Sequence, residues 1–250
     1  MILIGITGAI GHGKSSLADA LAAQVGDVCR LESGTLVTEV ANALHAKTDT
    51  LPQPDNVAQI NKWLESLPQI LQDVTHTAVS FEQIKLKPTT FDPNSSEYEK
   101  LVLHLRNLQA QPELLTQHIT SAKKERYRPI LQWLGGYLVN HVDTGIWYKE
   151  LVRRAQVAAD EGCELCVIGG LRFPTDADIV RQAGGFIIAI TRPDYAQKDL
   201  LDPTESGRNE IKVDAVVLNN GSLTQLSTVA GHIYQDCLDN KQLAYYETNR

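Results

Sequence analysis

The sequence predicts an α/β fold: a five-stranded parallel sheet flanked by helices, with a helical insertion. Three observations predict it. The apolar run Ile2–Thr7 ends in glycines and passes directly into a helix-forming segment beginning at Lys14. The second half alternates short β-branched runs with amphipathic stretches, the order that winds a parallel sheet. Between the two halves lies a proline-punctuated region with no strand pattern.

Taken in order, Ile2–Thr7 is the first strand and residues 14–25 (KSSLADALAAQV) the first helix, with apolar side chains at helical spacing. A second strand is expected at Asp27–Leu31 and a helix near Leu36–Ala46. From 48 to about 115, prolines at 52, 54, 68, 88, 93 and 112 separate short amphipathic helices such as Val57–Leu67 and Ser96–Leu108. A helical pattern from Ser121 runs past Pro129, which starts or kinks a helix, into Ile130–Val142. Gly145–Asp160 is a further helix. Strands at Leu165–Ile168, Phe186–Thr191 and Val213–Leu218 then alternate with helices at Thr175–Ala183 and Ser222–Leu238, the last opened by the turn Asn219-Asn220-Gly221. The predicted core is residues 1–46 with 121–250, and the insertion, read as an acceptor-binding or lid region, is 47–120.

Composition narrows the classes. At 250 residues the chain has room for one sizeable core with an insertion, or two small domains. The net charge of −7 argues against a general nucleic-acid binder, whose affinity comes from clustered Lys and Arg. No apolar run approaches the roughly 20 residues that span a bilayer, and the start (MILIGITGAIGHGKSS) has no basic n-region or cleavage pattern. Cytoplasmic location is the expectation. Cys163 and Cys166 form a CxxC inside an apolar run with no second pair or His cluster, so buried thiols in a reducing compartment are expected rather than a metal site. A homodimer is compatible with the sequence, which does not specify it.

The strongest chemical signal is Gly8-Ala9-Ile10-Gly11-His12-Gly13-Lys14-Ser15, a full GxxxxGK[ST] match between a strand and a helix, the context a P-loop NTPase fold requires. Gly8, Gly11 and Gly13 let successive N–H groups curl around a phosphate, and the helix start adds its positive dipole end. Lys14 is expected on the β- and γ-phosphates, Ser15 on Mg²⁺ and Ser16 near the α-phosphate; His12 lines the loop without a catalytic role. ATP and Mg²⁺ are therefore the expected co-substrate and metal. No NKxD guanine motif is present, and the strand Cys166–Ile168 ends in Gly169-Gly170 rather than in the acid a motor ATPase places there.

Transfer of a phosphoryl group to a small acceptor needs positive charge around both phosphates. Candidate cations are Arg126 and Arg128, and also Arg172 and Arg192, which each follow a strand's C-terminal end, where parallel sheets hold ligands. Glu32, at the end of the second strand, would hold Mg²⁺ through water or deprotonate a hydroxyl acceptor. Three functions stay open at this level. They are transfer from ATP to a (deoxy)nucleoside monophosphate, transfer to a hydroxyl (a modified pyrimidine in DNA or a coenzyme precursor), and non-catalytic ATP binding.

Several stretches in series resemble phage-type deoxynucleoside monophosphate kinases, within the wider nucleoside-monophosphate and dephospho-coenzyme A kinase group. They are GITGAIGHGKSSLADAL, SGTLVTEVANAL from Ser33, RPILQWLGGYLVNHV from Arg128, VIGGLRFPTDADIVRQAGGFIIAITR from Val167, and Thr204–Leu226 with TESG and LNNGSLTQL. Together they cover about half the chain. The resemblance implies an adenylate-kinase-like sheet, ATP and Mg²⁺, and a small-molecule nucleotide acceptor. It implies that Arg128, Gln132 and Arg172 face the acceptor or the transferred phosphate, that Glu205 fills the family's Ser/Thr-Glu position, and that Asn219–Gly221 is the turn beside the donor base. The chain departs from the pattern at Gly170 (an acid in relatives), Gly136-Tyr137 (Thr-Asp), Asp202 (His) and Thr35 (Asp, near the substrate helix).

Overall fold

The computed structural model describes residues 1–87, 96–193 and 207–248. Its contacts divide into two compact units, residues 1–33 with 148–250, and residues 34–147.

The first unit is built on a parallel sheet of order β2-β3-β1-β4-β5-β6. Its strands are β1 (Ile2–Thr7), β2 (Val28–Glu32), β3 (Leu165–Leu171), β4 (Phe186–Thr191), β5 (Ala215–Leu218) and β6 (Tyr245–Glu247). Central strands buried on both faces are near-continuously apolar, and β1 follows this rule: Ile4 and Ile6 are fully buried. Helix α1 (Lys14–Ala22) lies on the sheet with the C-terminal helix Leu223–Leu238. Leu17 and Leu21 pack with Leu226, Ala230 and Ile233 in one apolar cluster. Burying each such side chain contributes roughly 1.5–3 kcal/mol.

Six strands replace the five expected. The additional one, β6, spans three residues, too short for an alternating pattern to register, and follows a polar stretch at Asp239–Gln242. It is nevertheless tied to the sheet, pairing Val216 with Tyr245 and Leu218 with Glu247. The Thr248 hydroxyl just beyond it accepts from the Asn220 backbone N–H at 3.0 Å and lies 3.0 Å from Asn220 Oδ1. The strand thus braces the Asn219–Gly221 turn.

Strand β3 also runs further than expected, through Gly169 and Gly170 to Leu171. Ile6 pairs with Gly169 and Thr7 with Leu171, so Gly170 is an extra bulged residue. Its φ of +78° is left-handed, a conformation that costs an L-residue about 1–2 kcal/mol. That backbone favours glycine at this position. Cys163 and Cys166 are buried, as the apolar context predicts, and all four cysteines are free.

The second unit is helical. It contains α2 (Ser33–Ala46, beginning at the unit boundary), α3 (Val57–Leu64), α4 (Leu67–Thr75), α5 (Phe81–Ile84), α6 (Ser96–Ala110), α7 (Glu113–Thr116) and α8 (Arg128–His141). A 3-10 segment, Ser121–Tyr127, precedes α8, and Pro129 sits in the first turn of that helix, where its missing N–H costs nothing. Leu101, Leu105 and Leu108 of α6 and Trp133, Leu134 and Leu138 of α8 are buried. After α8 the chain enters α9 (Ile146–Asp160), and α10 (Pro174–Gln182) follows β3; Leu223–Leu238 is α11. No helix among the described residues is long and apolar enough to cross a membrane.

Inside this unit His45 and His104 stack with parallel rings, Nε2 to Nε2 at 3.0 Å. Burial pushes His45 down to about 4, and burial with its neighbour's charge pushes His104 down to about 3. The unfolded chain takes up these protons near the ordinary value of about 6.5. Between about 6.5 and 4 it therefore binds more protons than the native state, and acid favours unfolding by up to about 1.4 kcal/mol per pH unit per ring. The denaturant midpoint is expected to be lower at pH 5 than at pH 7, and His45→Leu/His104→Leu should flatten that dependence. An unaltered slope in the double variant would contradict it.

Candidate functional site

The loop between β1 and α1 sits at the C-terminal edge of the central strand. Gly8, Gly11 and Gly13 take φ of +152°, +83° and +100°. A Cβ at Gly8 would lie 2.5 Å from the carbonyl oxygen of Ile190, and one at Gly13 would strike the Asn219 amide. Both glycines are needed for close approach as well as for conformation. Gly8→Ala is expected to destabilise the protein by about 3 kcal/mol and to abolish nucleotide-induced thermal stabilisation; an unchanged melting temperature would contradict this packing.

The loop is closed by its own lysine. Lys14 Nζ donates to the carbonyls of Gly8 and Ala9 at 2.7 and 2.9 Å. Asn219 Nδ2 donates to the His12 carbonyl at 3.0 Å, and the Arg192 N–H reaches His12 Nδ1 at 3.4 Å. The turns after β4 and β5 therefore buttress the loop from outside. Gly13 caps α1 and has no side chain to accept from the first-turn N–H groups. Ser15 and Ser16 occupy that first turn, with Ser15 exposed.

The electrostatics are those of an anion site. Lys14 is pushed down to about 8, first by burial and then by Arg208 and Arg172, while Glu32 opposes the shift. Burial also lowers His12, with Lys14 and Arg208 contributing. The exposed Arg172 guanidinium makes no hydrogen bond or ion pair among the described residues. Arg172 and Arg208 thus lie within electrostatic reach of Lys14 and add positive potential there. Among the described residues no group of three His, Cys, Asp or Glu is spaced for a metal. The Ser15 hydroxyl in the first turn of α1 is the kind of hard oxygen donor that Mg²⁺ takes alongside water.

The backbone of Arg172 is fixed from α10. Asp176 Oδ2 accepts the N–H groups of Arg172 and Phe173 at 2.9 and 3.0 Å, and burial raises its carboxyl to about 6. Beside this turn the buried Tyr148 hydroxyl is 3.5 Å from the Gly169 carbonyl and 3.9 Å from where a Cβ at Gly170 would lie. Glu32 pairs with Gly169 in register, and its side chain lies against that glycine.

The remaining predicted residues belong to the second unit. Arg126, Arg128 and Gln132 line a cavity of about 390 Å³ whose other walls come from α6, Gln111, Leu114, Glu125 and Pro129. Arg126 donates to Gln111 Oε1 at 2.6 Å, and Arg128 forms a two-point pair with Glu125 at 2.8 and 2.6 Å. Thr35, exposed in the first turn of α2, is not among the lining residues. Glu205 lies outside the described residues. Lys14, Arg172 and Glu32 thus share the first unit, and Arg126, Arg128 and Gln132 the second. No local spacing in the sequence singles out Arg208, Tyr148 or Asp176, although Arg208 lies within the stretch Thr204–Leu226.

A parallel α/β sheet with a glycine loop between β1 and α1, closed by lysine, defines a P-loop kinase fold. A sequence model of the family described as deoxynucleotide monophosphate kinase matches residues 67–229. The chain belongs to the deoxynucleotide monophosphate kinase family. The matched span begins after the loop, so the loop geometry and the family match are independent observations. A protein of Acanthamoeba polyphaga mimivirus, named "Putative deoxynucleotide monophosphate kinase", is 32% identical over 81 residues. That alignment covers 32% of this chain and 38% of the relative.

Proposed function

We propose that the protein transfers the γ-phosphoryl group of ATP to a (deoxy)nucleoside monophosphate, giving ADP and the nucleoside diphosphate. The observation that carries the reading is the P-loop itself, with its glycines at left-handed φ and Lys14 folded onto the Gly8 and Ala9 carbonyls; Arg172 and Arg208 lie within electrostatic reach of that lysine. In the step, an acceptor phosphate oxygen bonds to the γ-phosphorus as its bond to the β,γ-bridging oxygen breaks. Lys14 exchanges its loop carbonyls for β- and γ-phosphate oxygens, and the α1 N–H groups hold the β-phosphate. Arg172 and Arg208 face the charge that spreads over the transferred group, where preorganised cations stabilise most. The Ser15 hydroxyl would hold Mg²⁺, which would supply charge neutralisation at the phosphates. Glu32 is available to a water of that ion. Gly8, Gly11, His12, Gly13, Ser16, Asn219 and Arg192 shape the donor site. Arg126, Arg128, Gln132, Thr35 and Glu205 serve the acceptor.

Release of ADP, followed by a coupled assay across the common and modified monophosphates, tests this directly. ATP binding with no ADP from any acceptor would leave a non-catalytic nucleotide-binding module.

One observation favours a second reading, a hydroxyl acceptor: Glu32 stands at the sheet edge within electrostatic reach of Lys14. A phosphate acceptor is already ionised and needs no base, whereas a hydroxyl does. Glu32→Gln is expected to keep turnover within about tenfold; a loss of about 10³ or more, beyond the usual general-base contribution of 10²–10⁴ at its lower end, would favour the hydroxyl.

A further inference from the structure

The family resemblance assigns nothing to helix α6, yet α6 forms a wall of the cavity that holds Arg126, Arg128 and Gln132. Lys100, Leu103 and Asn107 of α6, with Gln111 just past its end, line the cavity at helical spacing. Leu101, Leu105 and Leu108 turn the other way into the core. Three features of this stripe are those of a ligand surface. Leu103 is 48% exposed, an apolar side chain standing among polar ones. The side chains of Lys100, Asn107 and Gln132 have no hydrogen-bond partner among the described residues. Gln111 spends its carbonyl on Arg126, which places that guanidinium at the C-terminal end of the stripe.

At 1.5 Å per residue, Asn107 lies about 6 Å and Leu103 about 12 Å along the helix from Gln111. A mononucleotide with its phosphate at Arg126 and Arg128 extends its base over that stretch. Resting on the reading that the acceptor is a nucleoside monophosphate, we infer that α6 reads its base. Leu103 packs against the base face, and the Asn107 carboxamide, one donor beside one acceptor, pairs with the base edge. Asn107 is then a specificity-determining residue. Its half-buried position limits the water that competes with such a pair.

The test is calorimetric titration of the full chain with the four deoxynucleoside monophosphates, for wild type, Asn107→Leu and the near-isosteric Asn107→Asp. Wild type is expected to prefer one base. Asn107→Leu should shrink that preference by about tenfold or more, the scale of one bidentate base contact. Asn107→Asp, which offers acceptors only, should change the ranking. A ranking that survives in both variants within twofold overturns α6 as the reader while leaving kinase activity standing. Wild type that binds all four equally, or none, also overturns the inference. Whether the proposed reaction occurs is read separately from ADP release by the same wild-type preparation.

Discussion

Lys14→Ala is expected to lower kcat/KM for ATP by about 10³-fold, the scale seen when a preorganised charge on a developing oxyanion is removed. Among the described residues the side chain hydrogen-bonds to the Gly8 and Ala9 carbonyls, so its loss should leave folding intact and remove the cation proposed for the γ-phosphate. The same residue predicts a pH dependence. Burial and the two arginines hold its ammonium near 8, so above that pH the free protein carries a neutral amine that cannot grip a phosphate. Since kcat/KM reports the free enzyme's titrations, it should fall as pH rises through about 8. Steady-state kinetics from pH 6.5 to 9.5 check both points. A residual activity within tenfold in the variant, or a wild-type profile flat to pH 9.5, would remove Lys14 from the proposed role.

Arg172→Ala is expected to cost about 10²–10³ in kcat, with a far smaller effect on ATP binding. Its backbone is pinned by Asp176 and its exposed guanidinium makes no hydrogen bond or ion pair among the described residues, which leaves it open to solvent or a ligand. Arg172→Lys should recover only part of the rate, because a point charge does not reproduce the planar fork. Asp176→Asn provides the control for positioning. One carboxamide oxygen can still accept both N–H groups that Oδ2 now takes, so this variant should stay close to wild type. Single-turnover and equilibrium binding measurements separate the two steps. Equal losses in binding and chemistry for Arg172→Ala would make it an ordinary binding residue.

The legible parts of the fold were those with strong periodicity. Ile2–Thr7, the glycine loop and the helix from Lys14 follow from β-branched runs, glycine spacing and apolar repeats. Strand β6 escaped because three residues carry no period, and β3 looked short because Gly169 and Gly170 have no side chains to mark a strand. The loop's own residues were legible in the candidate site because the motif is contiguous. Arg208, Tyr148 and Asp176 were not, since each reaches the region through tertiary packing and no local spacing announces it. Likewise Lys100, Leu103 and Asn107 read as one more amphipathic face of an inserted helix until the cavity beside Arg126 and Arg128 is seen.

The identity of the transferred bond is the central claim, and ³¹P NMR of the reaction mixture addresses it most directly. With ATP, Mg²⁺ and the preferred deoxynucleoside monophosphate, the γ-phosphate signal should be lost. A new pair of coupled diphosphate resonances, matching ADP and the deoxynucleoside diphosphate in equal amounts, should replace it. A second, uncoupled monoester on the acceptor, or free inorganic phosphate in place of the diphosphate, would contradict it.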